Sequence, residues 1–196
     1  MSDLPETQPI HPDRAALRRR LIQARREWVS GPQGQVAQAA LEARLWTVLC
    51  QLEPTCLGVY WPMQGEFNPR NIACQAQAEW GASLALPLAT KDPVHMHFVG
   101  WDGEPPTARD GCGLPTGSGR PVSPDVILVP CVGFTPEAYR LGYGGGYFDR
   151  YLAAHPEAVA IGVAWGLGRL GPQELQPADH DQPLVAVVTE SDTFSV

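Results

Sequence analysis

The sequence predicts an α/β fold: a mostly parallel sheet with helices on both faces. Three observations carry this expectation. Short apolar, β-rich runs alternate with segments of helical period. One run, Val126–Pro130, is unbroken and bounded by prolines, as a strand buried on both faces is. A cluster of glycines, Gly142 and Gly144–Gly146, then precedes a segment able to start a helix.

The elements follow in order. Residues 1–12 hold three prolines and no periodicity, and read as a loose leader to a single domain over 13–196. Asp13 is placed to cap a helix from Arg14 to about Val29. In it Leu17, Leu21, Ala24 and Trp28 form one apolar stripe. At ~100° per residue, Arg14, Arg18 and Arg25 share a narrow arc beside that stripe, whereas Arg19, Arg20 and Arg26 point elsewhere. A solvated basic face is the slightly favoured reading. The sharper one is a row of cations able to reach an anion.

Ser30-Gly31-Pro32 ends that helix, and a second runs from about Gln33 to Leu52, with Leu41, Leu45, Val48 and Leu52 on one face. Cys56–Tyr60 reads as a buried strand. Asn68 and Pro69 are an N-cap and first-turn pair opening a helix to about Trp80. The Trp61–Phe67 loop therefore lies at a strand's carboxyl end, where open α/β sheets bind ligands, and Glu66 is its one charge. Ser83–Ala89 is a strand. Val94–Val99 alternates, with Met96 and Phe98 on one side and His95 and His97 on the other. No third ligand stands near that histidine pair at diagnostic spacing, so it reads as a half-exposed strand. Residues 102–124, dense in Gly and Pro, are expected to form a long loop. After the glycine cluster come a helix through Leu152, a strand at Val159–Val163, a loop with His180-Asp181, and a last strand at Leu184–Val188. Right-handed crossovers bring the strand carboxyl ends to one rim, shared by the Trp61–Phe67 loop and the glycine loop.

Composition bounds the function. A net charge of −7 argues against non-specific nucleic-acid binding, which needs a basic surface. No apolar run is long enough for a membrane span, and no secretory signal is visible. The five cysteines are scattered without a CxxC pair, as in a reduced, cytoplasmic protein.

The stretch Tyr139–Leu152, YRLGYGGGYFDRYL, carries the chemistry. A flexible loop running into a helix start suits phosphate. Arg140 adds a forked cation and Asp149 a carboxylate able to hold Mg²⁺. No GxxxxGK[ST] occurs, and the dinucleotide fingerprint fails because its third glycine would be Tyr147. A tight turn that needs glycine only for geometry is the blander alternative.

RLGYGGGYFDRYL resembles the RLGxGxGYYDR signature of the 5-formyltetrahydrofolate cyclo-ligase (methenyltetrahydrofolate synthetase) family. Arg14 to Arg18 resembles its KxxLR, Tyr60-Trp61-Pro62 with Gly65-Glu66-Phe67 its YxP…E, Asp125–Pro130 its DLILVP, and His180-Asp181 with Val187–Glu190 its HD…ITE. The five occur in family order. The chain departs from the pattern at Arg14 (usually lysine), Ala138 (glycine), Thr116 (glutamate), Phe148 (tyrosine) and near Gly168 (glutamine).

The resemblance implies a three-layer α/β/α domain of the NagB/RpiA/CoA-transferase-like kind, acting as a monomer on two small molecules. It implies ATP- and Mg²⁺-dependent closure of 5-formyltetrahydrofolate to 5,10-methenyltetrahydrofolate, with ADP and phosphate released. In that scheme Arg140 and Asp149 are catalytic. Arg14, Arg18, Arg140, Leu141, Gly142, Tyr143, Gly144, Gly145, Gly146, Tyr147 and Phe148 bind ATP. Trp61, Glu66, Tyr143, Gly144, Gly145, Gly146 and Tyr147 bind the folate, and Asp149 and Asp181 hold Mg²⁺. Two alternatives stand beside it: a phosphate-binding α/β isomerase or transferase that hydrolyses no ATP, and a non-catalytic relative that binds folate or nucleotide.

Overall fold

The computed structural model describes residues 13–178 and 181–195; the expected leader and His180 lie outside them. The helices are α1 (Arg14–Ser30), α2 (Gln33–Leu52), α3 (Arg70–Trp80) and α4 (Tyr147–Ala154). The strands are β1 (Cys56–Gly58), β2 (Ser83–Lys91), β3 (Val94–Trp101), β4 (Ala108–Arg109), β5 (Pro115–Thr116) and β6 (Pro121–Val122). They continue as β7 (Val126–Pro130), β8 (Gly133–Phe134), β9 (Arg140–Leu141), β10 (Val159–Val163), β11 (Ala186–Val188) and β12 (Thr193–Ser195).

Among the described residues the main sheet has the order β12-β11-β10-β7-β1-β2-β3-β6. Its centre, β11 to β2, is parallel; β12 at one edge and β3 and β6 at the other are antiparallel. One face packs Leu57, Leu86, Leu128 and Ile161 against Leu41, Leu45 and Leu49 of α2 and Ile72 of α3. The other packs Ile127, Val129, Ala160 and Val187 against Tyr151 and Leu152 of α4. Each fully buried leucine contributes roughly 2 kcal/mol. This is the expected three-layer arrangement.

Local chemistry fixes several boundaries. Asp13 caps α1, its Oδ1 accepting from the N–H groups of Ala15 and Ala16 at 2.9 and 3.1 Å. Asp125, at the foot of β7, accepts from the N–H groups of Thr55 and Cys56 at 3.0 and 2.8 Å, tying β7 to the start of β1. Burial alone would raise that carboxyl; those N–H groups and the Thr55 hydroxyl outweigh it and hold it below the usual range.

Some expectations need correction. In α1 the inward residues are Leu17, Leu21 and Arg25, while Ala24 is exposed. Leu49, not Val48 or Leu52, completes the buried line of α2, because a straight i, i+4, i+8 row runs through Leu41, Leu45 and Leu49. The 102–124 segment is not one open loop: β4 pairs with β5, and β6 joins the sheet edge. The antiparallel strand β12 adds an edge that the sequence does not announce, since short edge strands carry little periodic signal.

Ahead of the glycine loop, β8 and β9 form a hairpin closed by Ala138, which is fully buried with φ 59°. A non-glycine residue there costs roughly 1 kcal/mol. The bonds Ala138 N–H to Thr135 O and Leu184 N–H to Ala138 O, both 3.0 Å, hold it. Leu17 and Leu21 pack on this hairpin through Val132 and Leu141, which sets α1 beside the glycine loop.

Candidate functional site

A cavity of about 450 Å³ opens at the carboxyl ends of the central strands, with Tyr60 after β1, Pro130 of β7, and Pro87 and Ala89 of β2 in its wall. That volume suits a small-molecule ligand. Every residue that the family resemblance assigns to a ligand lines it: Arg14, Arg18, Trp61, Glu66, the run Arg140–Asp149, and Asp181. Long sequence separations close here, since residues of α1, the glycine loop and the 181 region share one wall.

At one end, carboxylates and guanidiniums alternate. Arg140 is buried; it donates to Asp149 Oδ1 at 2.5 Å and to the Gln182 carbonyl at 2.8 Å. Arg14 donates to Asp181 Oδ2 at 2.7 Å and to the Gln176 carbonyl at 2.7 Å. Arg18 donates from Nε to the Gly142 carbonyl at 2.6 Å. Burial, then the neighbouring Arg14, pull the Arg18 guanidinium below its ordinary value. Two glycines matter for backbone reasons. Gly144 and Gly146 have φ 93° and 62°, and a Cβ on Gly144 would meet the Arg18 guanidinium at 3.2 Å. The first turn of α4 then brings Tyr147, Phe148 and Asp149 to the cavity wall.

The other end holds a dry carboxylate. The Glu66 side chain is buried, with Oε1 accepting at 2.8 Å from the hydroxyl of Tyr143, itself an exposed residue, and Oε2 from Met63 N–H at 2.8 Å. Burial raises its carboxyl above the usual range; the Arg25 charge and these bonds pull it partly back. Trp61 stands edge-on to Trp101 with ring centroids 6.2 Å apart. Of the three arginines on the shared arc, Arg14 and Arg18 line the cavity beside the glycine loop, whereas Arg25 is buried beside Glu66. A simple solvated basic face is therefore not what forms.

Sequence reasoning missed part of the wall. Asp110, Cys112, Leu114 and Pro115 come from the 102–124 segment, and Met96 from β3. Asp110 fixes that segment: its carboxylate accepts from the N–H groups of Ala89, Cys112 and Leu114. Tyr147 closes the gap between the walls, its hydroxyl donating to the Thr90 carbonyl at 3.1 Å and lying 3.2 Å from Cys112 Sγ. The density of Gly and Pro there announces a shaped loop but not its contact with the cavity.

Of the departures from the family pattern, Arg14 and Phe148 line the cavity. Thr116 is buried and donates to the Pro87 carbonyl at 2.8 Å, supporting β2 rather than facing the cavity. A Cβ on Gly168 would meet the Val132 carbonyl at 3.1 Å, so that position is closely packed.

Fold and cavity define an α/β protein with a candidate ligand site over the strand carboxyl ends, polar and glycine-rich at one end and with one dry carboxylate at the other. The sequence model of the 5-formyltetrahydrofolate cyclo-ligase family matches residues 10–190, and the chain belongs to that family. It is 51% identical over 51 residues to the 5-formyltetrahydrofolate cyclo-ligase of Mycoplasma pneumoniae, covering 26% of this chain and 31% of that protein. It is 30% identical over 112 residues to a Caenorhabditis elegans protein named "Probable 5-formyltetrahydrofolate cyclo-ligase", covering 50% of this chain and 53% of that one. These matches thus span about half or less of the curated relatives' length. The solved 5,10-methenyltetrahydrofolate synthetase from Mycoplasma pneumoniae superposes with a TM-score of 0.74 at 20% identity, over 91% of this chain and 99% of that one. The NMR structure of the Aquifex aeolicus synthetase gives 0.72 at 24% identity, over 93% and 92%. These two likenesses show the fold.

Proposed function

We propose that the chain closes 5-formyltetrahydrofolate to 5,10-methenyltetrahydrofolate at the expense of ATP, releasing ADP and phosphate, as a monomer in the cytoplasm. The observation that carries this reading is a single cavity with two unlike ends. Its polar end suits a polyphosphate, and its dry end suits a flat heterocycle with hydrogen-bond donors. Two substrates that must react with each other would meet between them.

In this reading the glycine loop and Arg18 cradle the nucleotide phosphates, and Arg14 and Arg140 exchange part of their carboxylate bonding for phosphate. Glu66 accepts from the amino groups of the pterin, and Trp61 gives it an apolar face. So held, the formyl oxygen attacks the γ-phosphorus, and the bond from that phosphorus to ADP breaks. N10 then attacks the formyl carbon and loses its proton, and the oxygen departs with the phosphate. Transfer of this kind depends on alignment and charge neutralisation rather than on a protein nucleophile. The donor set fits Mg²⁺, which takes few carboxylates and completes its shell with phosphates and water. Asp149 and Asp181 both line the cavity, and among the described residues the bonds from Arg140 and from Gln182 N–H both fall on Asp149 Oδ1, so that Oδ2 is the oxygen that would face a metal. Bound there, Mg²⁺ would neutralise phosphate charge.

Incubating the protein with 5-formyltetrahydrofolate, ATP and Mg²⁺ should give the methenyl product, followed by its absorbance. Absence of product at high protein concentration would favour a non-catalytic binder. No membrane partner is expected; among the described residues no helix is long and apolar enough to cross a bilayer.

A further inference from the structure

The Arg25 side chain is the most buried cation of α1, and it has three partners. Nε donates to the Gln64 carbonyl at 3.1 Å, Nη2 donates to the Tyr143 hydroxyl at 2.5 Å, and Nη1 stands 3.8 Å from Glu66 Oε1. The Tyr143 hydroxyl in turn donates to the same Glu66 oxygen. The Gln64-Gly65 turn is left-handed at both residues, φ 51° and 80°. Arg25 holds it through the Gln64 carbonyl, and Trp165 Nε1 through the Gly65 carbonyl, to which it donates at 2.8 Å. Arg25 lies outside the family resemblance, whose N-terminal element ends at Arg18; Tyr143 is among the residues the resemblance assigns to the ligands, but the signature leaves its residue type open.

Resting on the reading of the cavity given above, we propose that Arg25 is a positioning and specificity-determining residue. It locks Glu66 and Tyr143 into one hydrogen-bonded unit and sets its guanidinium 3.8 Å from the Glu66 carboxylate, so that the dry end of the cavity presents a fixed acceptor to a donor-bearing heterocycle. The other groups facing Glu66 do not supply this charge. Tyr60 after β1 and Cys131 after β7 are both fully buried and held neutral, their acid groups pushed up by desolvation, Cys131 to about 12. Arg25 is therefore the cation that opposes the burial of Glu66. Without it a buried carboxylate takes up a proton and turns from acceptor to donor at one oxygen.

The test compares Arg25→Met, Arg25→Lys and Tyr143→Phe. Arg25→Met should raise KM for 5-formyltetrahydrofolate roughly tenfold or more at neutral pH. KM for ATP should move by less than about twofold, because the polar end does not use this residue. The lower inflection of the pH profile for the folate should move upward in Arg25→Met and stay near wild type in Arg25→Lys, which keeps the charge and loses the fork. Tyr143→Phe should raise KM for the folate to a smaller degree, and Arg25→Lys carries the test should Arg25→Met fail to fold, with KM for the folate raised and KM for ATP unmoved. Both KM values rising together, or an inflection that does not move, would overturn the inference. NMR titration of the Glu66 carboxyl in ligand-free Arg25→Lys and Arg25→Met provides a readout independent of turnover. It should titrate higher in the methionine variant, and an unmoved titration sinks the inference even where the wild type is active. Failure of the wild type to turn over would strike the proposed reaction instead.

Discussion

The two ends of the cavity are assembled from the same materials, carboxylates and guanidiniums, under opposite conditions. At the glycine-loop end the Arg14–Asp181 pair has side chains 31% and 11% exposed, and Asp149 opposite Arg140 is 23% exposed. At the far end Arg25 and Glu66 are each 4% exposed. Pairs open to water gain little from their attraction and trade partners readily. A buried pair is costly to break from one side, because the survivor stays charged and dry. The first arrangement is suited to a ligand that brings its own charges, such as a polyphosphate with a divalent cation. The second is a preset surface for a ligand read by hydrogen bonds. Arg140 lies between these cases: its own side chain is dry, but its partner faces the cavity.

The largest expected effect is at the glycine-loop end. Arg140→Ala and Asp149→Asn should each lower turnover roughly a hundredfold or more while helical circular dichroism stays unchanged. Rates within about threefold of wild type would reduce the glycine loop to a turn. Next comes Glu66→Gln, which should raise KM for the folate roughly tenfold and leave KM for ATP alone. Its stability signature has a definite sign. The folded chain holds the Glu66 proton more tightly than the unfolded chain does. That contribution is fully present below the unfolded carboxyl value and is lost as pH rises through the folded one. Glu66→Gln removes this loss, so the variant should gain on wild type as pH rises in thermal melts. Parallel melting curves would contradict a dry carboxylate. The smallest effect belongs to Arg14→Lys. It restores the family's usual residue at a partly exposed site, and turnover should change by less than about threefold.

How far the sequence alone reveals this contrast depends on what each residue does. The glycine loop, the Asp13 cap and the central β7 strand can be read locally, because each owes its form to its own neighbours in the chain. The meeting of Glu66 and the glycine loop with its Asp149 on one rim follows from the rule that open α/β sheets bind ligands at strand carboxyl ends; Arg14 and Asp181 are added to them by the family resemblance. Arg25 is harder. It continues the i, i+4, i+8 row of Leu17 and Leu21, but its charge argues for the edge of the stripe and leaves the inward place to Ala24. Only partners 39 and 118 residues away, Gln64 and Tyr143, explain why a cation turns inward. The wall built from Asp110 to Pro115 is hidden for a related reason: a non-local hydrogen bond from β2 to Asp110 shapes it, and no local pattern announces such a bond.

If both ends of the cavity serve a single coupled reaction, the two products must appear together. The decisive measurement follows ADP and the methenyl product in the same sample, with each substrate omitted in turn. Equal amounts of the two products are expected, and neither product when ATP or 5-formyltetrahydrofolate is left out. ADP released without the folate, or folate bound with no ADP formed, would show that the two ends are not coupled.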